Sequence, residues 1–278
     1  MTTDYTLFVN SCDSFEDCWN PFFKLMVRYW PDFDGQIMLN TEYKNYSFGR
    51  LDIRASQVCD KHYFPRSKRA PWGLCTRWGI EALDTEIVLY MQEDYFLNAK
   101  VDNAEIARCV EVMAEYPEIC CIHLTNKTFV SNEPSVYDGL DIFAINQHYR
   151  VSCQAALWRK SELLALLRDR ENGWEYEEFG TRRSKAMGHL YLHSRRAKDT
   201  GDVVPYVFTG IEQGRWNDDV VDLFKDSGIS VDFSKRGFIS SAPAKTLLAK
   251  IKHFAYKAPH FIINEAEVLK IRMESQQS

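Results

Sequence analysis

The sequence predicts an α/β fold: a mainly parallel sheet flanked by helices, with a C-terminal helical extension. Three observations point there. Short β-branched and aromatic runs alternate with stretches of helical apolar spacing through the first half of the chain. The strand-like runs near the N-terminus and at the third strand end in polar turns. The length of 278 residues suits one α/β domain, assigned to 1–240, with an extension over 241–278.

The elements follow in order. Tyr5-Thr-Leu-Phe-Val-Asn10 reads as a strand that stops at the polar turn Ser11-Cys-Asp-Ser14, and apolar positions from Cys18 to Tyr29 recur at helical spacing. After the breaker Pro31, Gln36 to Asn40 reads as a second strand. A helical pattern from Leu74 to Leu83 leads into a third strand, Glu86 to Met91, and a helix from Asn103 to Tyr116 precedes the apolar run Ile119 to Leu124. Such alternation implies parallel strands with helices on both faces. Tyr149 to Trp158 reads as a further strand, Lys160 to Arg168 as a helix of strong helix formers, and Val203 to Phe208 as an edge strand with Pro205 near its start. Ligands of such sheets bind beyond the carboxyl ends of the strands, so Ser11–Ser14, Asn40–Tyr43 and Gln92–Tyr95 are expected to share one crevice.

Composition narrows the function. A formal charge of −5 and a pI near 5.8 provide no global basic field, so a nucleic-acid partner is not expected. Eight scattered cysteines without CxxC spacing read as reduced, mostly buried thiols of a cytoplasmic protein. Asp4 stands where a signal peptide would be basic, and no apolar run reaches the roughly 20 residues that span a bilayer.

Two segments could carry chemistry. Gln92-Glu93-Asp94-Tyr95 places two carboxylates directly after a buried strand, where hard oxygen ligands can hold Mn2+ or Mg2+ against a diphosphate; the alternative is a solvated acidic loop. Asn172-Gly-Trp-Glu-Tyr-Glu-Glu-Phe-Gly180 reads as an aromatic, acidic loop in which rings could stack on sugar and a carboxylate could act as general base. Its alternative is a helix N-terminus capped by Asn172 with Glu175 in the first turn. His189 and His193 stand four apart but would need a helix, and neither they nor His123 and His148 have a companion set at metal-ligand spacing.

The acidic strand end and the later Trp-Glu-x-Glu segment, together with Leu7–Trp19, Trp72–Leu83 and Gly210–Trp216 in that order, resemble bacterial GT-A glycosyltransferases that make surface polysaccharides. The resemblance covers Leu7 to Phe238 and implies a GT-A-like (Rossmann-like) domain that takes a nucleotide-sugar donor, a UDP-sugar by this likeness, and a glycan or lipid-linked glycan acceptor such as lipopolysaccharide or capsule. It implies Glu177 as general base of an inverting transfer, with Glu175 second and Glu178 third. Donor-binding positions would be Asn10, Cys12, Asp13, Arg77, Glu93, Asp94, Gln154 and Arg215, and Asp94 with Glu93 would hold the metal. Gln92 replaces the first acid of the DxD pattern, so metal dependence stays open; without a metal, Arg215 or the pair Arg182 and Arg183 would supply the cation for the leaving diphosphate. Trp158 reads as sugar-proximal or as core. A non-catalytic nucleotide- or carbohydrate-binding protein on the same fold is the alternative. Nucleotidyl transfer and dinucleotide binding fit less well, because the first turn has no glycine.

In the extension, Leu247, Leu248, Ile251, Phe254 and Ala255 share one helical face, with Lys245, Lys250, Lys252 and Lys257 on the rest. Ala244 to Lys257 therefore reads either as a helix lying on an anionic membrane surface or as one packed on the main domain with its lysines in water.

Overall fold

The computed structural model describes residues 5–126, 133–207, 209–241 and 247–275, with the backbone alone described at 198, 247–256 and 275. The chain runs β1 (Tyr5–Asn10), α1 (Glu16–Tyr29), β2 (Gln36–Leu39), β3 (Ile53–Ala55), α2 (Val58–Lys61), α3 (Trp72–Glu81), β4 (Ile87–Gln92), α4 (Asn103–Glu115) and β5 (Ile119–His123). It continues through β6 (Leu140–Ile142), β7 (Ala156–Arg159), α5 (Lys160–Leu166), α6 (Gly173–Met187), β8 (Leu190–Ser194) and α7 (Arg195–Asp199). A hairpin of β9 (Ile211–Glu212) and β10 (Arg215–Trp216), then α8 (Val220–Asp226) and α9 (Leu247–Ser275), complete it.

Eight strands form one sheet in the order β3-β2-β1-β4-β7-β5-β8-β6. The pairs β3/β2, β2/β1, β1/β4 and β5/β8 are parallel, and the remaining contacts, on either side of β7 and at the β6 edge, are antiparallel. Central strands covered on both faces bury nearly all their side chains, which is why Leu7–Val9 of β1 and Ile87–Met91 of β4 are unbroken apolar runs. Alternation divides them: Leu7, Val9, Leu89 and Met91 join the core that includes α1 and α4, whereas Phe8, Val88 and Tyr90 pack with residues of α3, α5 and α6.

Two expected strands are shorter or absent. Of Tyr149–Trp158 only Ala156 onward is strand, because upstream backbone donors are taken by side chains instead of a ladder: Val151 by the Thr181 hydroxyl at 3.1 Å, Cys153 by the Glu177 carboxylate at 2.8 Å and Ala155 by the Tyr206 hydroxyl at 3.1 Å. Val203–Val207 forms only an isolated bridge, Tyr206 to Leu97, since its neighbour is the irregular segment after β4; residue 208 lies outside the described residues. The Asn172–Gly180 segment is the first half of α6 rather than a loop. A capping box opens it, with Glu175 N donating to Asn172 Oδ1 at 3.0 Å and Asn172 N donating to Glu175 Oε2 at 3.1 Å.

Helix α9 lies along α6, tied by Arg182 to Glu265 and Arg170 to Glu267, each at 2.8 Å. Beneath these pairs sits a fully buried bridge, Arg183 to Glu171 at 2.6 Å, with Asn264 of α9 accepting from the same guanidinium at 3.0 Å. Of the basic extension, residues 244–246 and the side chains of 247–256 lie outside the described residues; Lys257 bonds Glu178 at 2.5 Å. No helix among the described residues is long and apolar enough to cross a membrane.

Helix α3 approaches the 168–171 turn through Gly73, whose N–H donates to Glu171 O at 2.9 Å and where an added Cβ would stand 2.1 Å from the Arg168 carbonyl oxygen. Backbone cannot yield as a flexible side chain can, so Gly73→Ala is expected to lower stability by about 1–3 kcal/mol. A urea unfolding midpoint equal to wild type would refute this close approach.

Candidate functional site

The carboxyl ends of β1, β2 and β4 meet at a buried polar node. Asn10 Nδ2 donates to the Tyr90 hydroxyl at 2.9 Å and to Thr76 Oγ1 at 3.2 Å, while Asn10 Oδ1 accepts from Asn40 Nδ2 at 2.9 Å. Asn40 Oδ1 in turn accepts from Ser56 Oγ at 2.8 Å. All five residues are buried. The node therefore consumes the Asn10 amide, one of the sequence-predicted donor contacts, in holding the strands and α3 together. Above it, Asp13 accepts from the N–H groups of Glu42 and Tyr43, each at 3.0 Å, and Glu42 Oε2 accepts from Asp13 N at 3.3 Å. This reciprocal clamp joins the first two of the three loops expected at one crevice, and the third joins through Glu93 N, which donates to Asn10 O at 3.4 Å.

The two strand-end acids behave differently. Glu93 is buried on the α1 side, in the field of Asp94 and Asp17 with Arg236 opposing, and forms no salt bridge among the described residues; desolvation, then the Asp94 charge, pushes its carboxyl well above the ordinary range. Asp94 is raised too, chiefly by burial, but its Oδ2 accepts from Thr209 Oγ1 at 2.7 Å and Ile211 N at 3.0 Å, so it anchors the segment leading into the β9–β10 hairpin. Cys12, on the first loop, has its thiol pushed up to about 11 by burial and by Glu93. Glu93 is the acid free to meet a cation, and one or two carboxylates with substrate phosphates are what Mg2+ ordinarily takes. Such an ion would take Glu93 and, of Asp94, the oxygen not held by Thr209 and Ile211.

On the opposite side of β4, Glu177 of α6 is partly buried, with Oε1 accepting from Cys153 N and its carboxyl raised by desolvation. Gln154 lies beside it, donating to Tyr95 Oη at 3.2 Å and accepting from the Tyr206 hydroxyl at 2.8 Å, and Tyr95 stacks on Tyr206 with centroids 4.6 Å apart. Glu175 instead closes the capping box and accepts from or pairs with His260 Nδ1 at 2.7 Å, and Glu178 faces Lys257 and Arg182. Arg182 and Arg183 face α9, which overturns their assignment as a reserve phosphate cation: Arg182 is committed to Glu265 of α9, and Arg183 to Glu171 before α6 and to Asn264 of α9. Trp158 is fully buried core.

The basic groups beside the crevice come from elsewhere. Asp13, Ser14, Glu16, Asp17, Lys235 and Arg236 line a cleft of about 320 Å³. Arg236 forks onto Asp17 at 2.5 and 2.7 Å, donates to Ser14 O at 2.6 Å and covers the Phe15 ring. Arg215 sits beside it, donating to Arg236 O at 3.4 Å. Sequence reasoning missed Lys235 and Arg236, whose one signal is a basic dipeptide before Gly237, since 219 residues separate Arg236 from Asp17. Arg77 is not part of this group; it pairs with Asp169 at 2.6 Å and bonds Leu167 O against the end of α5. His189 and His193 belong to the β8 region instead of a helix: His189 meets Glu162 at 2.7 Å, and His193 is buried in the strand. His123 is a core histidine held near pKa 3 by burial, and His148 is exposed.

No protein-family model matches the chain, and no curated protein matches its sequence. Among solved structures, S. aureus TarS in complex with UDP-GlcNAc is similar with a TM-score of 0.47 at 11% identity over 72% of this chain and 57% of that one. S. aureus TarS in complex with UDP gives 0.45 at 11% identity over 72% and 59%, and mannosyl-3-phosphoglycerate synthase from Rubrobacter xylanophilus gives 0.32 at 6% over 57% and 54%. The chain thus spans little more than half the length of these structures, and likeness of this degree carries no argument about activity.

A carboxyl whose folded-state pKa is raised contributes stability below its unfolded value, and that contribution is lost as pH rises toward the folded value. The buried Glu93 therefore destabilises the fold at neutral pH. Glu93→Gln should raise Tm at pH 7.5 in chelator, by about 2–4 °C for each kcal/mol recovered, with the difference vanishing near pH 4. A Tm lowered at both pH values would show that the carboxylate has a stabilising partner.

Proposed function

We propose that the chain is a sugar-nucleotide-dependent glycosyltransferase that moves a sugar from a nucleoside-diphosphate donor, read as a UDP-sugar, to a surface glycan such as lipopolysaccharide or capsule. The observation that supports it is the pair of carboxyls raised by burial at the end of β4, Glu93 and Asp94, in the field of Arg236 from the neighbouring cleft, with a third raised carboxyl, Glu177, held by Cys153 N on the other side of the strand. Strongly perturbed carboxyls cluster at functional sites, where burial and neighbouring charge tune acids and bases.

In the proposed reaction an acceptor hydroxyl attacks the anomeric carbon while Glu177 Oε2 takes its proton. The bond from that carbon to the diphosphate oxygen breaks, and the leaving group departs with the electron pair on the opposite face, inverting the centre. A burial-raised Glu177 is a stronger base than a solvated glutamate, and Cys153 N–H keeps its carboxylate oriented. Arg236, pre-positioned by Asp17, and Lys235 offer charge-assisted hydrogen bonds to the departing phosphates. A Mn2+ or Mg2+ ion held by Glu93 and Asp94 would neutralise the same diphosphate. Work at a cytoplasmic membrane surface, through the basic segment Ala244 to Lys257, belongs to the same proposal.

One observation favours a second reading, a non-catalytic binding module: Gln92 stands in the first acidic position and Asp94 Oδ2 is already bonded. A panel of nucleotide sugars tested by thermal shift and donor hydrolysis, with Mn2+ and with chelator, separates the two. A donor that stabilises and is consumed supports transfer; stabilisation without consumption supports binding alone.

With that donor, Glu177→Gln should cut turnover by about 10²–10⁴-fold at unchanged donor affinity. The acidic limb of the wild-type pH–rate profile should lie above the ordinary glutamate value and disappear in the variant. A variant that keeps the limb would transfer the base role to another residue.

A further inference from the structure

Beneath the Asp13–Glu42 clamp, three groups from separate elements face one another. Cys59 of α2 and Cys75 of α3 are buried, their sulfurs are 3.8 Å apart, and a carboxylate oxygen of Glu42, in the loop after β2, lies within 4.8 Å of both. We propose that Glu42, Cys59 and Cys75 form a structural zinc site, with water in the fourth position, that locks the floor of the crevice.

The separation of the two sulfurs is that of two thiolates on one tetrahedral ion. Two sulfurs each about 2.3 Å from a tetrahedral zinc stand about 3.8 Å apart, the separation found here. A disulfide would need them near 2.05 Å. A thiol–thiol hydrogen bond could also hold the sulfurs at this distance, but it leaves unexplained the half-buried Glu42 carboxylate, which forms no salt bridge among the described residues. Among the described residues that carboxylate accepts one long hydrogen bond, from Asp13 N at 3.3 Å. Glu42 needs to swing inward by about 1 Å to reach the roughly 2.0–2.2 Å of a zinc–oxygen bond.

The ligand-bearing segments are already tied together. Cys59 N donates to Glu42 O at 2.9 Å, which joins two of the three ligand-bearing segments, and Asn40 Nδ2 donates to Cys75 O at 3.3 Å, which connects the third to the polar node. Binding balances simply: Zn2+ displaces the two thiol protons, which leave to solvent, and the two thiolates and one carboxylate leave the site with a single negative charge. Arg69 is the cation whose field reaches Glu42. Because Glu42 also receives Asp13 N, the ion would stiffen the first crevice loop. The site does not depend on the transferase reading, since it would exist whatever the crevice binds.

The test uses the full chain, purified reduced and without chelator, then given one equivalent of zinc. Metal analysis after desalting should return about one zinc per chain, and Co2+ in its place should show thiolate-to-cobalt charge-transfer absorption. Cys59→Ser and Cys75→Ser should each abolish that absorption. Glu42→Gln, at a partly exposed position that keeps the fold, should weaken zinc about 10–100-fold in competition with a chromophoric chelator. Zinc should also raise Tm in wild type and not in Cys59→Ser. No retained zinc in reduced wild-type protein, or equal zinc affinity in Glu42→Gln, would overturn the site; so would a Cys59–Cys75 disulfide in the protein as isolated.

Discussion

The hydrogen-bond chain from Ser56 through Asn40 and Asn10 to Tyr90 and Thr76 is the constraint on which the crevice depends. Buried amides and hydroxyls are costly unless matched, and one orphaned partner costs about 1–3 kcal/mol. Here the matching locks the carboxyl ends of β1, β2 and β4 to one another and to α3, so the loops they launch start from fixed points. Gly79 lets α3 pass over the node: a Cβ there would stand 2.5 Å from Asn40 Oδ1. The Asp13–Glu42 clamp, the cleft at Ser14–Asp17 and the Glu42, Cys59 and Cys75 cluster all hang from that platform.

Helix α6 separates stabilising from reactive groups by rotation alone. Glu175 and Glu178, three residues apart, share the face toward α9, where they meet His260 and Lys257. Glu177 projects elsewhere and reaches the loop before β7. The α9 face carries the ion pairs and the buried Arg183–Glu171 bridge, in which loss of either partner would leave an uncompensated buried charge. The other face keeps a carboxyl in a desolvated setting that raises its basicity at some expense of stability. Glu93 shows the same trade on the opposite side of the sheet.

Much of this was legible in the sequence. The periods of the apolar pattern, two in strands and 3.6 in helices, located β1, α1, β2, α3, β4, α4 and β5 to within a few residues, and the acids after β4 stood out because a polar pair directly follows a wholly buried run. Strands β3 and β6 were not read, being three residues long each and too short for a periodic signal, and β8, with His193 and Ser194 in its five residues, does not stand out as an apolar run. Tyr149–Gln154 looked like strand by composition but bonds to side chains, a choice made by the distant Thr181, Glu177 and Tyr206.

What the sequence by itself determined is the layered α/β order and the position of the acidic strand end, because both follow from local periodicity and burial. Tertiary structure alone decided which residues stand around that end. It brought Arg236 to Asp17 across 219 residues, turned Arg182 and Arg183 toward α9, absorbed Asn10 in the node and set Glu42 beside two thiols. Such meetings arise from how elements pack, and no local pattern in the chain records them.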